Sequence, residues 1–202
     1  MACDTLIDSY TTQSGYWNNI DAVGNYQGQT FTMGATTRDL CKAKMMLNCL
    51  NLEATESVTV ECQIRACSGT PGSGALPTGA ALATSDSVII TNGDAGWDSY
   101  TLYDFIFSTT YTLNASTNYC ILCIITAIPD EYDDIKIGDD TINLVGNEFI
   151  EQGTGVFASN TNNSVFYIYY EPSWTGKINS VTNPAKICGI PVANINKVSG
   201  VS

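Results

Sequence analysis

The chain contains no histidine, and only 8 of its 202 residues are Lys or Arg. Without histidine, neither a Ser-His-Asp nor a Cys-His catalytic group is available, and the usual general base near neutral pH is missing. The few basic residues are scattered, whereas binding to a phosphate backbone requires clustered Lys or Arg. With 20 acidic residues and a net charge of −12, the composition argues against a nucleic-acid partner.

Long apolar runs are lacking as well. No segment reaches the roughly 18 consecutive apolar residues of a membrane-spanning helix. The first four residues, Met-Ala-Cys-Asp, show neither the basic nor the apolar region of a signal peptide. We therefore expect a protein without a membrane partner and without a leader of its own.

Signatures of catalysis are also missing. The acidic residues lie mostly in turn-like segments, so the sequence sets no two carboxylates at the separation that glycoside hydrolysis needs. The glycine-rich segment 69–74 lacks the Lys-Ser or Lys-Thr ending of a phosphate-binding loop and leads into no helix. We expect that the protein is not an enzyme.

The sequence does contain stretches in which apolar and polar residues alternate with a period of two, and these stretches are bounded by Gly, Asn, Asp, Ser or Thr. A hydrophobic content of 44 % is enough for one core. The pattern predicts an all-β fold, a two-sheet β-sandwich of the jelly-roll kind, with residues 68–74 as a long excursion. The candidate strands span residues 29–33, 43–52, 57–66, 87–90, 97–107, 118–126, 134–137 and 165–171.

Charge divides the chain into two parts. The last 31 residues hold three lysines and no acid, whereas the preceding 171 hold all 20 acids and five basic residues. We predict a sandwich domain over residues 1–183, with 1–27 as a candidate N-terminal extension, and an extended C-terminal arm over 184–202. The arm repeats a short pattern at 186–190 and 197–201. We expect a partner to bury the apolar side chains of the arm. The alternatives are a disordered tail or a last strand of the body. The proposed contact residues are Lys186, Ile187, Ile190, Val192, Ile195, Lys197, Val198 and Val201.

The eight cysteines are predicted mostly as reduced, buried thiols. Alternation puts Cys62 on the apolar face with its strand neighbours, and it sends Cys120 and Cys123 to opposite faces, which argues against a metal chelate. One or two disulfides remain an alternative. The thiols whose positions are least constrained are Cys41, Cys49, Cys67 and Cys188.

Two acidic turns flank the short strand at 135–137. Turn carboxylates and backbone carbonyls supply the oxygen ligands of calcium, so we name a candidate calcium site; the alternative is a solvated acidic loop that keeps edge strands apart. No other cofactor is expected. The candidate ligands are Asp130, Asp133, Asp134, Asp139 and Asp140.

Tyrosines alternate along the strand at 165–171. Phe166 and Ile168 share one face with Tyr170, and Tyr167 and Tyr169 share the other. The second face, together with Trp174, is predicted as a subunit interface, as plain core, or as a platform for sugar rings.

The order of segments resembles a known kind of module. It runs from the Gln-Thr-Phe-Thr strand at 29–32 through the Gly-Thr-Pro loop and the Gly-Ala-Ala-Leu-Ala-Thr segment at 79–84. It continues to Phe105-x-Phe107-Ser108 and Leu113-x3-Thr117-x-Tyr119. Residues 27–126 are thus similar to jelly-roll modules of phage structural proteins and bacterial surface proteins, and to carbohydrate-binding sandwiches. The repeat in the arm resembles segments of tailed-phage virion proteins.

The resemblance implies a non-enzymatic virion structural protein, a capsid decoration or fibre-type component assembled in a host cytoplasm. Its partners would be other virion proteins or further copies of itself, engaged by the arm. The alternative is a carbohydrate-binding, adhesive module of an extracellular or cell-surface assembly, with a glycan as the partner.

Overall fold

A computed structural model describes the fold of most of the chain. It covers residues 3–13, 15–50, 52–53, 55–91, 100–129, 134–140, 148–151, 156–160, 162–172, 177–178, 181–182, 186–187 and 190–191. In these ranges every regular element is a strand, and no helix there is long and apolar enough to cross a membrane.

Fourteen of the strands form two seven-stranded antiparallel sheets. Sheet A contains β1 (Thr5–Tyr10), β2 (Gly15–Ile20), β4 (Arg38–Leu50), β8 (Thr101–Leu113), β10 (Asp134–Asp140), β13 (Asn163–Ser164) and β14 (Phe166–Tyr170). Sheet B contains β3 (Tyr26–Thr32), β5 (Ser57–Thr70), β6 (Ser73–Thr84), β7 (Val88–Thr91), β9 (Asn118–Ala127), β11 (Glu148–Glu151) and β12 (Phe157–Asn160). Two short hairpins follow, β15 (Lys177–Ile178) with β16 (Val181–Thr182), and β17 (Lys186–Ile187) with β18 (Ile190–Pro191).

Sheet A is organised around β4. Strands β14 and β10 lie end to end along one edge of β4, and β8 runs along the other. Strand β1 extends the sheet beyond β14, while β2 and β13 pair with β10. The N-terminal residues therefore join the sandwich through β1 and β2.

Sheet B has β5 and β9 at its centre. Strand β9 pairs with one edge of β5, while β7 and β6 lie end to end on the other. Beyond β9 the order continues through β3, β11 and β12. Because β9 is buried on both faces, it reads in sequence as an almost continuous apolar run.

The core lies between the sheets and draws on alternate residues of both. Val60, Cys62 and Ile64 are all fully buried, as the alternation predicted. Phe31 of sheet B contacts Phe166 of sheet A, with ring centroids 6.2 Å apart. Each such side chain stabilises the fold by about 1.5–3 kcal/mol relative to exposure. The predicted all-β, two-sheet sandwich is confirmed.

All eight candidate strands correspond to observed strands, but the predicted excursion at 68–74 is wrong. Strand β5 continues to Thr70 and β6 begins at Ser73, so the two form a hairpin with a tight turn. Gly69, Gly72 and Gly74 have positive φ angles, which allow the bulges and the turn without ending the strands. The glycines thus bend the ladder here instead of interrupting it.

The described part of the C-terminal arm is extended but doubles back. Lys186 pairs with Pro191, and Ile187 pairs with Ile190. The other predicted contact residues of the arm, Val192, Ile195, Lys197, Val198 and Val201, lie outside the described residues, so their role stays a prediction.

Candidate functional site

The outward face of β14 carries the predicted tyrosines. Phe166 and Ile168 point into the core, while Tyr167 and Tyr169 are half-buried on the opposite face. The two rings are nearly parallel, with planes 15° apart and centroids separated by 6.4 Å. The structure brings these two predicted residues together, whereas Trp174 lies outside the described residues.

The antiparallel register extends this face across four strands. Tyr169 lies between Leu6 of β1 and Lys42 of β4, and Lys42 in turn lies opposite Ile106 of β8. A neighbouring row on the same face contains Tyr167, Lys44 of β4 and Asp104 of β8. We call the surface formed by Leu6, Lys42, Lys44, Asp104, Ile106, Tyr167 and Tyr169 the tyrosine face.

Ion pairs and a cation–π contact organise the tyrosine face. The Lys42 ammonium lies 4.7 Å from the centre of the Tyr169 ring. Lys44 Nζ is 3.0 Å from Asp104, and Lys42 Nζ is 3.6 Å from Asp104 and 3.9 Å from Asp4. The hydrogen bond to Asp104 raises the pKa of Lys44. In these pairs the lysine side chains are partly buried and the carboxylates are exposed. Solvent around the carboxylates weakens the pairs, so they mainly hold the lysines beside the rings.

Apolar side chains remain exposed next to the rings. Leu6 is 47 % exposed and Ile106 is 44 % exposed, and Leu102, further along β8, is 38 % exposed. A sheet face with parallel aromatic rings and exposed aliphatic groups is suited to packing against another surface. The arrangement of these groups supports binding.

Sequence reasoning missed the lysines of this face. The signal was present, because Lys42 and Lys44 alternate with Cys41 and Ala43 in a strand, and a period of two puts both lysines on one side. What the sequence does not show is that β4 pairs with β14, which sets Lys42 beside Tyr169. That pairing joins residues more than a hundred positions apart.

The candidate calcium ligands are only partly described. Asp130 and Asp133 lie outside the described residues, and Asp134 pairs with Leu50 at the start of β10. Asp139 and Asp140 are both buried. Within the described ranges no three His, Cys, Asp or Glu side chains are grouped as metal ligands, so the calcium site stays a prediction.

Buried polar partners surround the two aspartates. Tyr10 donates a hydrogen bond of 2.5 Å to Asp140 Oδ2, and Asn162 Nδ2 donates one of 2.9 Å to Asp139 Oδ2. Burial raises the pKa of the Asp139 carboxyl above its ordinary value, with a further contribution from Asp140. Burial also raises the pKa of Tyr10. These groups form a buried hydrogen-bonded cluster that joins β1, β10 and the residue before β13.

The cysteines divide between a disulfide and thiols. Cys3 and Cys41 form a disulfide that links the N-terminal residues to β4, with Cα atoms 6.0 Å apart. Cys123 belongs to the main core, whereas Cys120 is buried on the outer side of sheet B. The prediction that these two side chains leave β9 on opposite faces is therefore confirmed.

Comparisons with known proteins add no relative. No protein-family model matches the chain, and a search of the curated proteins finds no match.

Proposed function

We propose that this chain is a non-enzymatic structural protein of a virus particle, a capsid decoration or fibre-type component. It attaches through its C-terminal arm and displays the acidic sandwich. The virion setting rests on the resemblance of the sequence to phage structural modules. The assembly role rests on the tyrosine face and on the separation of an acidic body from a cationic tail.

The observation that carries the proposal is the tyrosine face. Leu6 and Ile106 remain nearly half exposed beside two parallel tyrosine rings on an open sheet face. Tyrosine is enriched at protein interfaces because its ring buries a large area while its hydroxyl tolerates water. In a particle, a neighbouring subunit covers this face, and the arm supplies a second contact through its apolar side chains and lysines.

Light scattering on the purified chain, beside a version that ends at Asn183, tests the proposal. We expect a defined oligomer for the full chain and a folded monomer for the truncated one. A double variant, Tyr167→Ala with Tyr169→Ala, should weaken the oligomer. Ile89→Ser is the matched control, because Ile89 is 62 % exposed on the other sheet. A monomer at every concentration, or a truncated chain that does not fold, contradicts the proposal.

A second function is supported by the geometry of the rings themselves. Two parallel tyrosines at 6.4 Å offer apolar ring surface for the CH groups of sugars, as in carbohydrate-binding sandwiches. In this alternative the protein is an adhesive module of an extracellular or cell-surface assembly. Glycan binding that is lost in Tyr167→Ala, with the fold retained, separates it from a purely structural role.

A further inference from the structure

Arg38, at the start of β4, has a guanidinium group without an anionic partner in the described part of the chain. Its side chain stacks over the Tyr170 ring, with the guanidinium carbon 4.3 Å from the ring centre. The other two basic residues of β4 differ, since Lys42 and Lys44 both contact Asp104. Stacking holds the guanidinium plane in a fixed orientation while its N–H donors remain available.

Arg38 and Tyr170 line two adjoining depressions of about 190 and 120 Å³. The smaller depression contains two acidic residues, Asp39 and Glu171, and these repel an anion. The larger one contains no acidic residue. We call the larger depression the Arg38 pocket; its walls include Leu6, Ile7, Met33, Thr36, Arg38 and Tyr170.

Charge makes this position unusual in the molecule. The chain carries a net charge of −12, yet three of the five basic residues in its first 171 positions lie between 38 and 44. Two of those three are offset by carboxylates of the same face. In the Arg38 pocket an acidic body therefore presents an oriented cation that makes no ion pair within the described residues, while Asp39 and Glu171 line the adjoining depression.

The pocket and the tyrosine face meet at β1, which ends the strand order of sheet A, although Tyr170 lies on the opposite face of β14 from Tyr167 and Tyr169. Leu6 lines the pocket and also lies opposite Tyr169 in the register of β1 and β14. A ligand whose charged group reaches Arg38 and whose other end reaches the tyrosine rings therefore passes around β1 at Leu6. Such a ligand needs a carboxylate at one end and an apolar face along its length.

We propose that the Arg38 pocket binds the carboxylate of an acidic sugar, with the adjoining sugar rings of the same glycan on the tyrosine face. The planar guanidinium fork pairs with a carboxylate through two parallel hydrogen bonds. The aliphatic walls contact the CH face of the ring, and the Thr36 hydroxyl supplies a polar contact. This inference rests on the second function above, glycan binding, because a subunit that covered the tyrosine face would exclude the glycan.

Isothermal titration with a paired panel of oligosaccharides tests the inference. The probes are oligomers that contain galacturonate, glucuronate or N-acetylneuraminate, each beside its carboxyl-reduced form, together with a glutamate-rich peptide. The proteins are the full chain, Arg38→Gln, Arg38→Lys and the control Arg65→Gln. Arg65 is matched because it stacks over Tyr26 at 4.5 Å on the other sheet.

We expect at least one acidic oligosaccharide to bind about tenfold or more tightly than its reduced form, since hydrogen bonds to charged groups are strong. Arg38→Gln should remove that preference while leaving the binding of the reduced form unchanged. Arg38→Lys should restore only part of it, and Arg65→Gln should retain it in full. Circular dichroism confirms that the variants are folded.

The other outcomes distinguish failure of the pocket assignment from failure of glycan binding. If reduced and acidic forms bind equally and Arg38→Gln has no effect, the pocket assignment is wrong while glycan binding stands. If no oligosaccharide binds, glycan binding and the pocket assignment both fall. Preferential binding of the peptide, lost in Arg38→Gln, would overturn the sugar assignment in favour of a protein partner.

Discussion

At the scale of single residues, the carboxyl of Asp139 is buried in the described structure with incomplete hydrogen bonding. One of its oxygens accepts a hydrogen bond from Asn162. In the described part of the chain, the other oxygen, Oδ1, is buried without a hydrogen-bond donor. A buried carboxylate with incomplete hydrogen bonding costs free energy, because it has lost water without full replacement.

Asp139→Asn should therefore raise the free energy of unfolding by about 1 kcal/mol at pH 7. Burial raises the folded-state pKa of Asp139 above 3.8, so the folded protein binds the proton more tightly than the unfolded chain. Below pH 3.8 the carboxyl is protonated in both states and the penalty vanishes. Stability falls as the pH rises from 3.8 to the folded-state pKa, because in this range the unfolded chain loses the proton first, and above the folded-state pKa the penalty is complete.

Urea denaturation at several pH values measures this effect. The gain from Asp139→Asn should shrink toward zero in acid. A loss of stability in the variant at pH 7, together with a melting temperature of the parent chain that falls on adding a chelator, would instead support calcium at Asp139.

At the scale of the strands, sheet B depends on the close approach of β3 to β9. Gly28 lies opposite Leu122, and a Cβ atom added at Gly28 would lie 1.9 Å from the Ile121 carbonyl oxygen and 2.8 Å from Leu122 Cα. Both obstacles are backbone atoms of a central strand, so they cannot turn aside as a flexible side chain would. The absence of a side chain at Gly28 is a requirement of the pairing.

Gly28→Ala should lower the free energy of unfolding by about 2 kcal/mol or more, as overpacking in a rigid site does. Gly34→Ala is the matched control, because a Cβ there meets nothing within 4 Å. Thermal denaturation of both variants checks the prediction. Equal melting temperatures for the two would show that β3 and β9 separate easily.

At the scale of the whole molecule, the two sheets are joined by a polar clamp as well as by the apolar core. Gln29 of β3 donates a hydrogen bond of 3.1 Å to Asn163 Oδ1 and accepts one of 2.9 Å from the Ser164 backbone N–H. Gln29 and both of its partners are fully buried. The clamp fixes how sheet B sits over the β13 end of sheet A.

Gln29→Met keeps the volume of the side chain but removes both hydrogen bonds. We expect a loss of about 2–4 kcal/mol, because the buried Ser164 N–H loses an acceptor in addition to the bond to Asn163. Thr32→Val is the control, since its hydroxyl bonds Asn118 at an exposed position of the same strand. Urea denaturation gives the two values, and faster hydrogen exchange at Ser164 in Gln29→Met would locate the effect.

Part of the fold was predictable because it depends on local alternation. The strands of 57–66 and 118–126 follow from period-two patterns, and so do the opposite faces of Cys120 and Cys123. The hairpin at 70–73 was missed because positive-φ glycines are compatible with a turn, a bulge or a loop, and the sequence alone does not choose among them. For the candidate site, alternation along one strand predicted Tyr167 and Tyr169 together, but Leu6, Lys42 and Ile106 belong to other strands.

The sequence by itself determined the class of the fold, the division of charge between body and tail, and the absence of histidine chemistry. These properties depend on composition and on neighbours a few residues apart. Tertiary structure decided which strands pair, and with that the tyrosine face, the Arg38 pocket and the contact of Asp140 with Tyr10. The reason is physical: register in a sheet is set by packing across the sandwich, and it joins residues such as Tyr10 and Asp140 that are 130 positions apart.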